Sequence, residues 1–180
     1  MGSESTYVAL LRGINVGGKH CVPMNSLAEL FTGCGCAGVH TYIQSGNVVF
    51  NIPRRQVNGF RASIEKKMKE CFGFEVPVIL RDRQQMADVV RNNPMKKLPE
   101  KTLHVYFLAD QPSEDAIRSL DPDRSPGDTF RVAGSEIYLC VPNGMGRTKL
   151  TAPYFDSKLR TTCTARNWTT VQKLLELMTG

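Results

Sequence analysis

The amino-acid sequence predicts an α+β protein made of two ferredoxin-like βαββαβ-type units. This is a duplicated architecture of antiparallel or mixed sheets with helices on one face. Three observations predict it. Hydrophobic periodicity in the first half runs in the order β-α-β-β-α-β. The second half repeats β-α-β-β. No parallel βαβαβ run appears, which argues against a doubly wound sheet. In this order the central hairpin is antiparallel and the crossovers are right-handed, so four strands with two helices on one side is the economical packing. The basic, Pro-containing connector from Met95 to Lys101 divides the chain. Residues 1–94 form an N-terminal ferredoxin-like unit plus a short helix; residues 95–180 form a C-terminal βαββ unit with two terminal helices.

Tyr7 to Leu11 is an apolar run ending before a glycine and reads as a buried strand. Leu27, Leu30, Phe31 and Cys34 lie on one helical face, which Gly33 and Gly35 terminate. Val39 to Gln44 and Asn47 to Phe50 are strand-like around a two-residue Ser45-Gly46 turn. Pro53 opens a helix whose stripe is Val57, Phe60, Ile64, Met68 and Cys71, with a mixed-sign outer face. Val76 to Leu80 is the fourth strand. Asp82 and Gln85 form a capping box for a short helix carrying Met86, Val89 and Val90. Leu103 to Ala109 opens the second half as a strand, and Ser113 caps a short helix with Ile117 and Leu120. Thr129 to Val132 and Ile137 to Val141 flank Gly134-Ser135 as a second hairpin. A helix from Thr151 to Leu159 comes next, and Asn167 caps the last helix, with its stripe Val171, Leu174, Leu175 and Met178.

The chain has 180 residues, 41% hydrophobic and 22% charged, the balance of an ordinary globular protein. Its 23 Lys+Arg against 17 Asp+Glu leave +6, which permits an anionic partner. No apolar run is long enough to span a membrane and no basic-then-apolar leader opens the chain. The six cysteines match no zinc or disulfide spacing, so no metal is expected and the reading is cytoplasmic. Cys71 and Cys140 read as small buried hydrophobes.

LLRGINVGGK, VPM, TYIQSGNVVF, GRTKL and ARNWTTVQKLLEL are spread along almost the whole length. Together they resemble DUF1697, an uncharacterised, largely bacterial family of unknown function. The resemblance implies a cytosolic α+β protein with ferredoxin-like units. It brings no activity, and the cofactor is unknown.

Two Gly-rich basic loops stand out. The first comes after the opening strand and carries Arg12, Gly13, Asn15, Gly17, Gly18 and Lys19; the second, PNGMGRTK, carries Arg147 and Lys149. Glycines let backbone amides converge on an anion, and arginine forks bind phosphate oxygens. If the two loops face each other, they enclose a site for a phosphorylated or anionic small molecule. The Gly17-Gly18 amides would cradle it, and Gln44, Ser45 and Asn47 would add neutral hydrogen bonds. Arg160 and Arg166 are further loop charges. A nucleic-acid-binding module is the alternative, with Tyr7, Tyr42, Phe50, Tyr106, Phe107, Phe130 and Tyr138 as candidate stacking rings. A second alternative is a nucleotide hydrolase, because Gly13 to His20 lies one residue from a phosphate-loop signature. His20 replaces the hydroxyl that would hold Mg²⁺, and Pro23 sets the helix start well after Lys19. Cys21 adjoins His20, but neighbours on an extended loop point apart, so no nucleophile–base pair and no catalytic residue is assigned.

Overall fold

The computed structural model describes residues 4–180. These form two compact units, residues 4–87 with Leu174–Gly180, and Asp88–Lys173.

In the first unit β1 (Glu4–Leu11), α1 (Met24–Gly33), β2 (Ala37–Tyr42), β3 (Asn47–Pro53), α2 (Phe60–Phe72) and β4 (Val78–Asp82) succeed one another. The antiparallel sheet has the order β2-β3-β1-β4. Successive side chains of a strand face opposite ways. Tyr7, Ala9 and Leu11 therefore share one face with Phe50 and Ile52, and that face buries Leu27 and Phe31 of α1 and Phe60, Ile64 and Met68 of α2. Phe50 sits at the middle, with Phe31 and Phe60 ring centroids each 5.2 Å away. Each such buried ring contributes roughly 1.5–3 kcal/mol by area removed from water.

The second unit contains most of the rest: β5 (Leu103–Leu108), α4 (Glu114–Arg118), β6 (Thr129–Ala133), β7 (Glu136–Cys140), α5 (Ala152–Leu159) and β8 (Cys163–Asn167). Its sheet order is β6-β7-β5-β8, again antiparallel. Phe155 of α5 is its core ring, set edge-on against Tyr106 at 5.1 Å and Phe130 at 5.8 Å. The unit boundaries fall inside α3 (Arg83–Arg91) and α6 (Trp168–Thr179).

The two units repeat one hydrogen-bonding plan. Leu11 N–H donates to the Gly46 carbonyl at 2.8 Å, and Leu108 N–H donates to the Ser135 carbonyl at 2.9 Å. One residue later, Arg12 N–H reaches Pro77 at 3.0 Å and Ala109 N–H reaches Thr162 at 2.8 Å. Val8 faces Arg81 as Val105 faces Arg166. Both arginines are buried, and each folds back on the preceding carbonyl, of Leu80 at 2.9 Å and of Ala165 at 2.8 Å. The next residue caps a helix in both cases. Asp82 and Gln85 exchange two 2.8 Å bonds at the start of α3, and Asn167 accepts from Thr170 N–H at 2.8 Å at the start of α6.

Several elements differ from the sequence reading. Residues 163–167 are a full strand, β8, which completes β-α-β-β-α-β in the second unit. The turn between β2 and β3 spans four residues, 43–46, with Tyr42 opposite Asn47. Pro53 ends β3, and α2 opens at Phe60, because Gly59 with φ +81° breaks the chain direction there. Cys71 is exposed. The α2 stripe advances by four from Met68 to Phe72, which packs on the core, and leaves Cys71 on the outer side.

Candidate functional site

The first basic loop leaves β1 at Arg12, whose backbone is tied to Pro77. Ile14 is buried and anchors the loop in the core of its unit. Asn15 then holds the loop together. Its side-chain N–H groups donate to the Val22 carbonyl at 3.0 Å and the Gln44 carbonyl at 2.9 Å, and its Oδ1 accepts from Val22 N–H at 2.8 Å. It adopts φ +55°, a conformation asparagine tolerates better than most residues. The Gly13–His20 loop and the 43–46 turn are thus one stapled surface.

Its outer end is a two-residue hairpin. Val16 bridges Lys19, Lys19 N–H donates to the Val16 carbonyl at 3.1 Å, and Gly17 and Gly18 have φ +59° and +74°. Positive φ at both central residues is a type I′ turn, which is why two glycines stand here. No atom beyond the chain neighbours comes within 4 Å of where either Cβ would lie, so both backbones are approachable. His20 stacks on Phe74, with centroids 4.3 Å apart and planes 17° apart, and its Nδ1 lies 3.3 Å from the Gly13 carbonyl. The Cys21 thiol donates to the Gly18 carbonyl at 3.6 Å. The neighbouring His20 and Cys21 thus have separate partners, although His20 is left-handed at φ +51° and the loop is not extended there.

This geometry sorts the residues singled out in the sequence. Arg12, Gly13, Asn15, Gly17, Gly18, Lys19, Gln44, Ser45 and Asn47 all lie in the first unit. Asn47 is fully buried and donates to the Tyr42 carbonyl and to Ser45 Oγ, both at 3.0 Å, so it shapes the turn. Asn15 likewise builds the loop. Gly46 is a packing glycine, because a Cβ there would lie 2.8 Å from Ile14 Cδ1. Lys19 and Gln44 are exposed and Arg12 is half-buried. Lys19 has no ion pair among the described residues. The loop and the turn contain no carboxylate, so the local field is positive. The sequence reading missed Val16 and Ile43, large apolar side chains 64% and 49% exposed on the two joined loops. Their exposure depends on which loop faces which, and no periodicity records that.

Arg147 and Lys149 lie on the second loop, in the second unit. Gly144 N–H donates to Val141 at 3.0 Å and Arg147 N–H to Gly144 at 3.1 Å, winding the loop into successive turns. Ser125 clamps it from the side: its hydroxyl accepts from Lys149 N–H at 3.1 Å and donates to Asp128 at 2.6 Å. Arg124 donates to the Lys149 carbonyl at 3.0 Å and lies over the Tyr154 ring at 4.1 Å. Arg147 and Lys149 are left exposed. Arg160 is exposed as the left-handed C-cap of α5. Arg166 is a strand residue; burial pushes its pKa down to about 10, and it donates to Thr164 Oγ1 at 2.9 Å. It serves the sheet and is not a loop charge.

The two alternative functions also meet the geometry. A phosphate loop runs straight from strand to helix with its lysine on the first helical turn. Here Lys19 closes a hairpin, and α1 begins at Met24 behind a Pro23 N-cap. Of the candidate stacking rings, Tyr7, Phe50, Tyr106, Phe107 and Tyr138 are buried, and Tyr42 and Phe130 are half-buried. Among the described residues no group of three or more His, Cys, Asp or Glu is placed to hold a metal ion. No helix among them is long and apolar enough to cross a membrane.

Comparison with known proteins gives the family. The family model described as "Protein of unknown function (DUF1697)" matches residues 5–138, and the chain belongs to that family. No curated protein matches the chain. The structure of a conserved bacterial protein from Streptococcus pneumoniae is similar, with a TM-score of 0.74 and 21% identity over 98% of this chain and 99% of that one. At that identity the likeness is one of fold.

Proposed function

We propose that this DUF1697 member binds a phosphate-bearing or otherwise anionic ligand on the stapled loop surface of its first unit. Lys19 and Arg12 act as counter-charges, and the Gly17-Gly18 backbone gives close approach. One observation carries the reading. A basic, carboxylate-free loop is held in a fixed shape by Asn15, and its exposed lysine has no ion pair among the described residues. Preorganised charge binds anions better than mobile charge, because less freedom is lost on binding. Arg147 and Lys149 form a second cationic loop that serves the same class of ligand. We read both units as ferredoxin-like, and we place the protein in the cytoplasm, since its six cysteines are all free.

A panel of pyrophosphate, nucleotides, sulfate and an oligonucleotide, read by thermal shift, tests the proposal. A ligand at about one hundredfold its Kd adds about 2.7 kcal/mol. At this chain length that raises Tm by roughly 5–10 °C. Lys19→Ala should abolish the shift, and Arg147→Ala reports whether the second loop takes part. No shift with any anion, or an unchanged shift in Lys19→Ala, overturns the reading. Nucleic acid is the second reading, favoured by exposed Val16 and Ile43 beside the cations; it requires oligonucleotide affinity that falls steeply with salt. Phosphate release from ATP with Mg²⁺ should be at background, as a hairpin-borne lysine predicts.

A further inference from the structure

The second unit carries an open sheet edge flanked by two clefts. β6 is one of the two outer strands of its sheet. Ala133 and Glu136 face each other across Gly134-Ser135, a two-residue hairpin, and such hairpins close on a hydrogen-bonded pair. Alternation along an antiparallel ladder then turns the backbone N–H and C=O of Phe130 and Val132 outward, away from β7. The Phe130 carbonyl accepts a 3.3 Å bond from the neighbouring Arg131 guanidinium, consistent with that direction. β2 occupies the equivalent edge of the first unit, and it is blunted: its register shifts between Ala37 and His40 around Gly38, at φ +56°. Bulges protect edges from pairing. β6 has none, and its register is unbroken from Thr129 to Ala133.

The clefts meet at this strand, and Thr129 and Arg131 border both. Thr129 and Arg131 line one of about 460 Å³ with Lys96, Lys97 and the exposed Leu98. That cleft has three cations and no carboxylate. The other, also about 460 Å³, lies on the face of Phe130, with Ile117, Leu120 and Pro122. Its one carboxylate, Asp128, accepts from Ser125; of its two arginines, Arg118 pairs with Glu114 and Asp115, and Arg131 is shared with the first cleft. An added strand sends alternate side chains to the two faces of a sheet.

We propose that the β6 edge is a docking site for an extended peptide in which acidic and apolar side chains alternate. Its backbone pairs with Phe130 and Val132. Its acidic side chains enter the Lys96–Lys97–Arg131 cleft, and its apolar ones enter the cleft of Ile117 and Leu120. A second copy of this chain is disfavoured, because antiparallel pairing centred on Arg131 sets that charge near its own image.

The test is fluorescence anisotropy with the full chain and a labelled synthetic peptide of alternating glutamate and valine, as long as β6. Saturable binding is expected. A peptide of the same composition with glutamates first and valines last should bind roughly tenfold or more weakly. So should the alternating peptide N-methylated at the amides that face the strand. Arg131→Glu should weaken binding about tenfold or more, whereas Lys66→Ala, on the outer face of α2, should leave it unchanged. No saturable binding overturns the proposal, as does equal binding of the reordered or N-methylated peptide. Tighter binding of an oligonucleotide of equal charge also overturns it, as does self-association that the peptide does not compete away.

Discussion

Asn15 commits both ends of its side-chain amide to the loop that carries it. Truncation leaves the Val22 N–H and two carbonyls without these partners. Asn15→Ala should therefore cost about 1–3 kcal/mol in urea unfolding, and it should weaken any anion affinity without removing a charge. In the sequence Asn15 and Asn47 are polar loop residues and read naturally as ligand contacts. What they do depends on Gln44, Val22 and Tyr42, brought close only by the pairing of β1 with β3. His104 in β5 shows the same limit. Its Nδ1 is buried with no hydrogen-bond partner among the described residues, and burial lowers its pKa, an effect the Thr102 backbone partly offsets. Above the unfolded value of about 6.5 the ring is neutral in both states. As pH falls through that value the unfolded chain takes up the proton first. Stability should thus decline below about pH 6.5 and level off beneath the folded pKa. His104→Gln should flatten that decline in urea midpoints compared across the range.

At the level of elements, the paired junctions β4–α3 and β8–α6 are the clearest repeat. Asp82→Ala and Asn167→Ala each remove a side-chain cap, and each should cost about 1 kcal/mol by chemical denaturation. Both caps were legible, since Asp and Asn stand just before apolar periodicity. β8 was not. Its sequence, CTARN, offers only two small apolar residues, Cys163 and Ala165, among polar ones and a charge. It becomes a strand because β5 supplies five backbone partners, from His104 opposite Asn167 to Leu108 opposite Cys163. Tertiary pairing overrides weak local preference in this way. The buried Arg166 belongs to the same case, since a charge signals a surface until a sheet covers it. The strands Tyr7–Leu11 and Leu103–Leu108 were legible because continuous apolar runs have few other ways to hide from water.

Over the whole molecule, exposure divides the thiols. Cys21 and Cys71 are exposed, Cys34 is intermediate, and Cys36, Cys140 and Cys163 are buried. Burial also pushes the Cys36 thiol up to about 12, which suppresses the reactive thiolate. A maleimide applied to the native protein should label Cys21 and Cys71 fast and the three buried cysteines only on unfolding, as peptide mass mapping would record. With no disulfide formed by any of the six, added reductant should leave Tm unchanged.

The shared bonds at Leu11 and Leu108 also bear on engineering. Downstream of the same anchor, one unit grows a long stapled loop and the other turns directly towards a short helix. The anchor thus tolerates either kind of connection, which makes the stretch between Ala109 and Ser113 a natural graft acceptor. A chimera carrying residues 12–23 there should fold with its sheet intact, and would present the hairpin twice on one chain.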